Sequence, residues 1–254
     1  MGDFRSWLCR TAEKKAAKLA RKSALEGLFA GLLEQYCRLH EAHGGARFLQ
    51  IGANDGKTND PLFPCIKKFR LAGICVEPLP EAFEILRETY REHSNVVLVQ
   101  RAIGSSEEMM KLYVAGLPEN ATVAERLDAS RKATFSKESA IAKTKKECGL
   151  GSDQEVEARL EICHVKTTTL PGLLAEYGHP RVDILQIDAE GEDWNILQQV
   201  AVLPALPSLV NLEHKGLSQK ARHEMHTWFA RAGYLWFEHG RDTCALRPAL
   251  AGIS

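Results

Sequence analysis

The chain is predicted to fold as an α/β domain: a Rossmann-like, seven-stranded, mostly parallel sheet with an antiparallel last strand, preceded by an N-terminal helical arm. Three observations carry this. From Arg47 onward, short apolar runs alternate with helical segments, the pattern of a parallel sheet covered on both faces. The run at 48–51 passes directly into Gly52-Ala-Asn-Asp-Gly56, and the next run, at 73–76, ends in the carboxylate Glu77. The last two strand candidates are joined only by His239-Gly-Arg-Asp242, a hairpin-length link that makes the final strand antiparallel.

Residues 1–43 form the arm. Its opening, residues 4–22, is basic, with Arg5, Arg10, Lys14, Lys15, Lys18, Arg21 and Lys22 against Glu13 alone. Leu25, Leu28, Phe29, Leu32, Leu33, Tyr36 and Leu39 then recur at helical spacing and predict a helix packed on the sheet. A second reading lays the basic part on a membrane surface, with Phe4, Trp7 and Leu8 between headgroups. Gly44-Gly45 ends the arm, and residues 44–254 form the main domain. Strands are expected at 48–51, 73–76, 96–100, 182–187, 209–212, 235–237 and 243–247. Helices are expected at 61–69, 80–92, 169–177, 193–200 and 218–232. Residues 115–163 break the alternation with a polar insertion, including a helical stretch at 122–131, expected to act as a substrate lid.

Composition narrows the class. Lys plus Arg and Asp plus Glu number 33 each, for zero formal net charge, which gives no electrostatic case for nucleic acid. Seven cysteines without a C-x-x-C pair argue against a disulfide framework and a zinc module. No apolar run approaches the ~20 residues that span a bilayer, and no signal-peptide pattern opens the chain. A cytoplasmic protein is expected, with peripheral membrane contact through the arm as the variant. Oligomeric state is not legible.

In open α/β sheets ligands bind beyond the carboxyl ends of the strands. The first strand end lacks the third glycine of a G-x-G-x-x-G fingerprint, so it suits a nucleoside without a pyrophosphate, S-adenosylmethionine first. Glu77 is placed to accept ribose hydroxyls. Arg101, Ala102 and Ile103 are candidate adenine contacts, although Arg101 reads equally as a surface charge. Asp188-Ala-Glu-Gly191 closes another strand; Asp188 and Glu190 read either as helix caps or as groups facing the ligand. Glu213-His214-Lys215 closes the next, with His214 a candidate catalytic or metal-binding group. His223 and His226 lack H-E-x-x-H spacing and read as surface residues.

Taken in order, these blocks resemble the FkbM-type family of class I S-adenosylmethionine-dependent methyltransferases. The resemblance rests on Phe48-Leu-Gln-Ile-Gly-Ala-Asn-Asp-Gly-Lys-Thr-Asn-Asp-Pro61, Val76-Glu-Pro-Leu-Pro80, Val182-Asp-Ile-Leu-Gln-Ile-Asp-Ala-Glu-Gly191, Glu213-His-Lys-Gly-Leu-Ser218 and Gly240-Arg-Asp-Thr-Cys-Ala245. Gln186 departs from it, standing where much of the family has Lys. The resemblance implies methyl transfer to a hydroxyl of a sugar, glycoconjugate or natural product. It implies a cofactor site lined by Gly52, Ala53, Asn54, Asp55, Glu77, Pro78, Arg101, Ala102, Ile103 and Asp188. Asp188, Glu190, Glu213 and His214 would form the reaction centre, with His214 as base or with Asp188, Glu213 and His214 around a divalent ion such as magnesium. N- or protein methylation and a membrane-associated, non-catalytic module are the alternatives. A nicotinamide oxidoreductase is disfavoured by the missing glycine and the lack of a Tyr-x-x-x-Lys pair.

Overall fold

The computed structural model describes residues 27–117, 120–148, 152–178 and 181–248. Helix α1 is described over 27–40. The sheet-forming chain then runs through β1 (Arg47–Ile51), α2 (Phe63–Phe69), β2 (Ala72–Val76), α3 (Pro80–Thr89) and β3 (Val96–Val99). Short β4 (Ala102–Ile103) and β5 (Met109–Ala115) follow, then α4 (Val123–Ser130), α5 (Lys137–Cys148), α6 (Asp153–Glu157) and β6 (Leu160–Thr168). The remainder is α7 (Leu170–Glu176), β7 (Ile184–Ile187), α8 (Asp193–Val200), β8 (Leu209–Glu213), α9 (Gln219–Arg231), β9 (Leu235–His239) and β10 (Asp242–Leu246).

The main sheet has the order β3-β2-β1-β7-β8-β10-β9. Neighbours from β3 to β8 pair in parallel, and β10 is antiparallel to both β8 and β9. Each strand expected from sequence is present, and the chain's last strand is the antiparallel one. Beside this sheet stands a second one that sequence reading missed, ordered β4-β6-β5. The strands alternate faces, as a pleat requires. Leu49, Ile51, Leu185, Ile187, Val210 and Leu212 pack with α7, α8 and α9, whereas Phe48, Cys75, Ile184 and Leu209 pack with α1, α2 and α3.

Helix α1 is part of that second layer. Phe29, Leu33, Tyr36 and Cys37 are buried at i, i+4, i+7 and i+8 spacing, which puts them on one face. Leu28 and Leu39, expected in the apolar stripe, are instead 48% and 45% exposed: they sit one residue off the buried row. The basic lead-in, with Phe4, Trp7, Leu8 and Leu25, lies outside the described residues.

The insertion leaves β5 and returns on β6, carrying α4, α5 and α6. Thr122 starts α4 with a capping box, its side chain accepting from the Glu125 amide and its own amide bonding the Glu125 carboxylate; this satisfies two otherwise orphaned donors. Ser152 and Glu155 repeat the device at α6.

Candidate active site

Strand order reverses between β1 and β7, the switch point at which open α/β sheets leave a crevice. Gly52 follows β1 and Asp188 follows β7. The two turns touch: a Cβ on Gly52 would lie 1.8 Å from the Asp188 carbonyl oxygen, and Gly52 has φ +77°. Only glycine fits there. The amides of Gly52 and Ala53 both donate to the Val76 carbonyl, at 2.9 and 3.0 Å, so the turn is fixed to β2 as well.

Glu77, at the end of β2, is 4% exposed. Its carboxylate accepts the Asn54 amide at 2.8 Å and the Leu79 amide at 2.9 Å. Burial pushes its pKa up to about 7, against the pull of those two amides. Asn54 adopts φ +48°, which turns its amide toward Glu77. Asn54 Nδ2 donates to Ser130 Oγ at 2.7 Å, while its buried Oδ1 has no partner among the described residues.

Glu77 opens into a cleft lined by Gly52, Pro78, Leu79, Arg101, Ala102, Ile103 and Asp188, with Ser130, Ala133 and Phe135 from the insertion. Most of the residues expected at the cofactor therefore do converge. Arg101 lines the rim but is engaged by Glu176, with one hydrogen bond of 3.0 Å. Asp55 does not reach the cleft. It is buried and holds the turn, accepting from the Thr58 amide at 2.9 Å and the Lys57 amide at 3.3 Å. Burial raises its pKa, but the Thr58 hydroxyl and amide, the Lys57 amide and Arg131 outweigh it and leave it lowered.

Gly52, Glu77 and Asp188 also border a second crevice with Asn54, Asp60, Arg131, Gln186, Glu190 and Arg241. Asp188, Asp60 and Arg241 continue into a third, with Glu213, His239 and Asp242. Asp188 is common to all three. Carboxylate oxygens of Asp188, Glu190 and Glu213 lie within 4.8 Å of one another. Asp188 is open to the crevice, yet the surrounding protein desolvates it; that effect, then Glu213, Asp193, Glu190 and Asp242, pushes its pKa up to about 8. Glu213 rises to about 7, first by burial and then by Glu190, although Arg241 opposes. Lys143 Nζ reaches Glu190 Oε2 at 2.8 Å, and Arg241 pairs with Glu213.

His214 is not part of this group. Its Nδ1 shares a 2.9 Å hydrogen bond with Thr243 Oγ1, and it borders none of the three crevices. The expected base, and the expected Asp188–Glu213–His214 ligand set, are not assembled; Glu190 stands in the place given to His214. The reason is periodic: Glu213 ends the strand facing the crevice, so the next side chain turns toward the opposite layer. Neither Asp188 nor Glu190 caps α8. Asp193, 1% exposed, accepts the Ala189 and Gly191 amides at 3.1 and 3.0 Å, and so shapes the loop that presents them. Sequence reading missed this residue; an Asp five places after Asp188, at the first turn of a helix, was the available signal. His226, read as a surface residue, stacks on Trp236 at 3.8 Å between ring centroids.

Beneath the crevice three amides cross the sheet in register, Gln50 beside Gln186 and Gln186 beside Asn211. Asn211 donates to Gln186 at 3.0 Å and shares a 2.9 Å bond with His239. The departing Gln186 is thus buried in a polar row that also lines the crevice wall.

No curated protein matches the sequence. Among solved structures, a methyltransferase FkbM from Methylobacillus flagellatus has 9% identity and TM-score 0.48, covering 79% of this chain and 43% of that one. The chain thus spans less than half the length of that protein. An SAH-bound methyltransferase of Podospora anserina shows 10% identity and TM-score 0.40, covering 84% and 75%. An O-methyltransferase from Bacillus cereus in complex with SAH shows 10% identity and TM-score 0.38, covering 91% and 90%. These scores are too low to carry an acceptor or a mechanism from one chain to another. The model of the methyltransferase FkbM domain, however, matches residues 50–235, which include both strand ends and the insertion between them. The chain belongs to the FkbM methyltransferase family.

Proposed function

We propose that this protein transfers a methyl group from S-adenosylmethionine to a hydroxyl of a sugar, glycoconjugate or polyketide-like natural product. The observation that carries this is the position of Asp188, whose carboxylate borders both the cleft containing Glu77 and the acidic crevice beside it.

The residues present fit the donor. Glu77 is held by one backbone amide on each oxygen, and each oxygen keeps acceptor capacity for a ribose hydroxyl. Apolar Leu79, Ala102 and Ile103 offer walls for a base. The unpartnered Asn54 Oδ1 supplies an acceptor for the ammonium at the other end. When bound, the donor supplies a sulfonium methyl already activated for displacement.

What remains for the protein is alignment and removal of a proton. An alcohol does not ionise unaided near neutral pH, and a positioned base contributes ~10²–10⁴-fold. Asp188, with its pKa pushed up to about 8, is that base. The Asp188 carboxylate would take the acceptor hydroxyl's proton as that oxygen receives the methyl group the donor supplies. Lys143 and Arg241 already place cations on Glu190 and Glu213, so proton removal is assigned to Asp188 and not to a divalent ion.

The test is transfer of labelled methyl from S-adenosylmethionine into a panel of neutral sugars and polyols. Asp188→Asn should keep S-adenosylhomocysteine affinity and lose ~10²–10⁴ in turnover. Unchanged turnover in that variant would remove Asp188 as base.

A further inference from the structure

The insertion reaches the candidate site at several places: Ser130, Ala133 and Phe135 line the donor cleft, Arg131 lines the adjoining crevice with Asp188 and Glu190, and Lys143 pairs with Glu190. It also meets the sheet domain through Ser130 with Asn54 at 2.7 Å, Arg131 with Asp55 at 3.5 Å and Arg126 with Glu81 at 3.4 Å, and through the apolar cluster of Leu127, Ala133 and Phe135 with Leu79, Ala82 and Ala102. Lys143, on α5, extends its ammonium to Glu190 at 2.8 Å, with the two side chains 34% and 18% exposed. The same ammonium lies 3.5 Å from the Lys132 carbonyl, at the end of the turn that follows α4. Glu190 is itself held in the left-handed region at φ +50°, a conformation costly for a residue with a side chain. Asp193 supports that loop from below through the Gly191 amide.

We propose that Lys143 is the latch of a lid: the insertion between β5 and β6 closes over the donor cleft and is held closed by the Lys143–Glu190 pair. The assignment of that cleft to S-adenosylmethionine rests on the function proposed above; the latch itself rests on the contacts. Ser130, Ala133 and Phe135 line the donor cleft, so lifting the insertion widens the path for donor exchange. The α4 end of the insertion packs through Leu127, Ala133 and Phe135 on Leu79, Ala82 and Ala102, whereas α5 reaches Glu190 through Lys143, a partly exposed polar pair of the class that breaks at small cost. Lys143 acts through Glu190, as a positioning residue. Closing the lid puts a positive charge on the carboxylate next to Asp188 and Glu213, where Asp193, Asp242 and Arg241 also face the site. Closure and completion of the reaction centre are then one event.

Two measurements on the full chain test this. Hydrogen exchange of ligand-free protein should show amides of α4 and α5 exchanging about two- to fivefold faster in Lys143→Met, a factor set by the modest strength of such pairs. Lys143→Arg should restore the wild-type rate, and Lys145→Met, on the same helix but paired with Asp153 within the insertion, should leave it unchanged. Displacement of S-adenosylhomocysteine should accelerate by a similar factor in Lys143→Met alone. Equal exchange in Lys143→Met and wild type would overturn the latch, as would equal acceleration by Lys145→Met. Failure of S-adenosylhomocysteine to bind would instead overturn the donor assignment, with the exchange data still deciding the latch.

Discussion

Gly52 shows how tightly one residue can be specified. Its missing side chain lets the β1 and β7 turns touch, and Gly52→Ala would meet backbone at 1.8 Å with φ at +77°. Overpacking of this kind costs about 1–3 kcal/mol, and urea denaturation should show at least that loss. Gly52 and Glu77 were legible in the sequence because they end apolar runs, where strand geometry alone aims them at a ligand. His214 was not: chemistry suggested a base, but strand alternation turned the side chain away. Asp55 was misread for the opposite reason, since a ligand-facing turn and a self-bonded Asx turn have the same sequence.

Among the elements, the seven strands were read correctly because each is a short apolar run bounded by turn residues. The β4-β6-β5 sheet was hidden: β6 has mostly half-buried or exposed positions, so it carries no apolar run. The insertion's helices were partly legible: a helical stretch was expected at 122–131, and α4 spans Val123–Ser130. The row Gln50–Gln186–Asn211 joins β1, β7 and β8 beneath the crevice. Asn211→Ala removes the partner of Gln186 and one partner of His239. Loss of such a buried group costs about 1–3 kcal/mol, and the variant's denaturation midpoint should fall accordingly.

For the whole molecule, the acidic crevice sets a pH dependence. Glu77, Asp188 and Glu213 are raised to about 7, 8 and 7, and Asp60 and Asp193 to about 6, above ordinary values of 4.5 for Glu and 3.8 for Asp. The folded state therefore binds more protons than the unfolded one between those limits. Stability is full below the ordinary values and is lost as pH rises through the folded ones. The melting temperature of ligand-free protein should fall between pH of about 5 and 8, and Asp188→Asn should flatten the upper part of that slope. A melting temperature rising across this window would contradict the crowding of carboxylates at the switch point. Among the described residues no helix is long and apolar enough to cross a membrane.

The central claim is that the cleft at Glu77 holds the adenosyl donor. Calorimetric titration of S-adenosylhomocysteine into wild type and Glu77→Ala, with NADH as control, tests it most directly. The account predicts binding on the order of micromolar for wild type, at least about tenfold weaker binding in the variant, and none for NADH. Equal affinity in both proteins, or no binding to wild type, would contradict it.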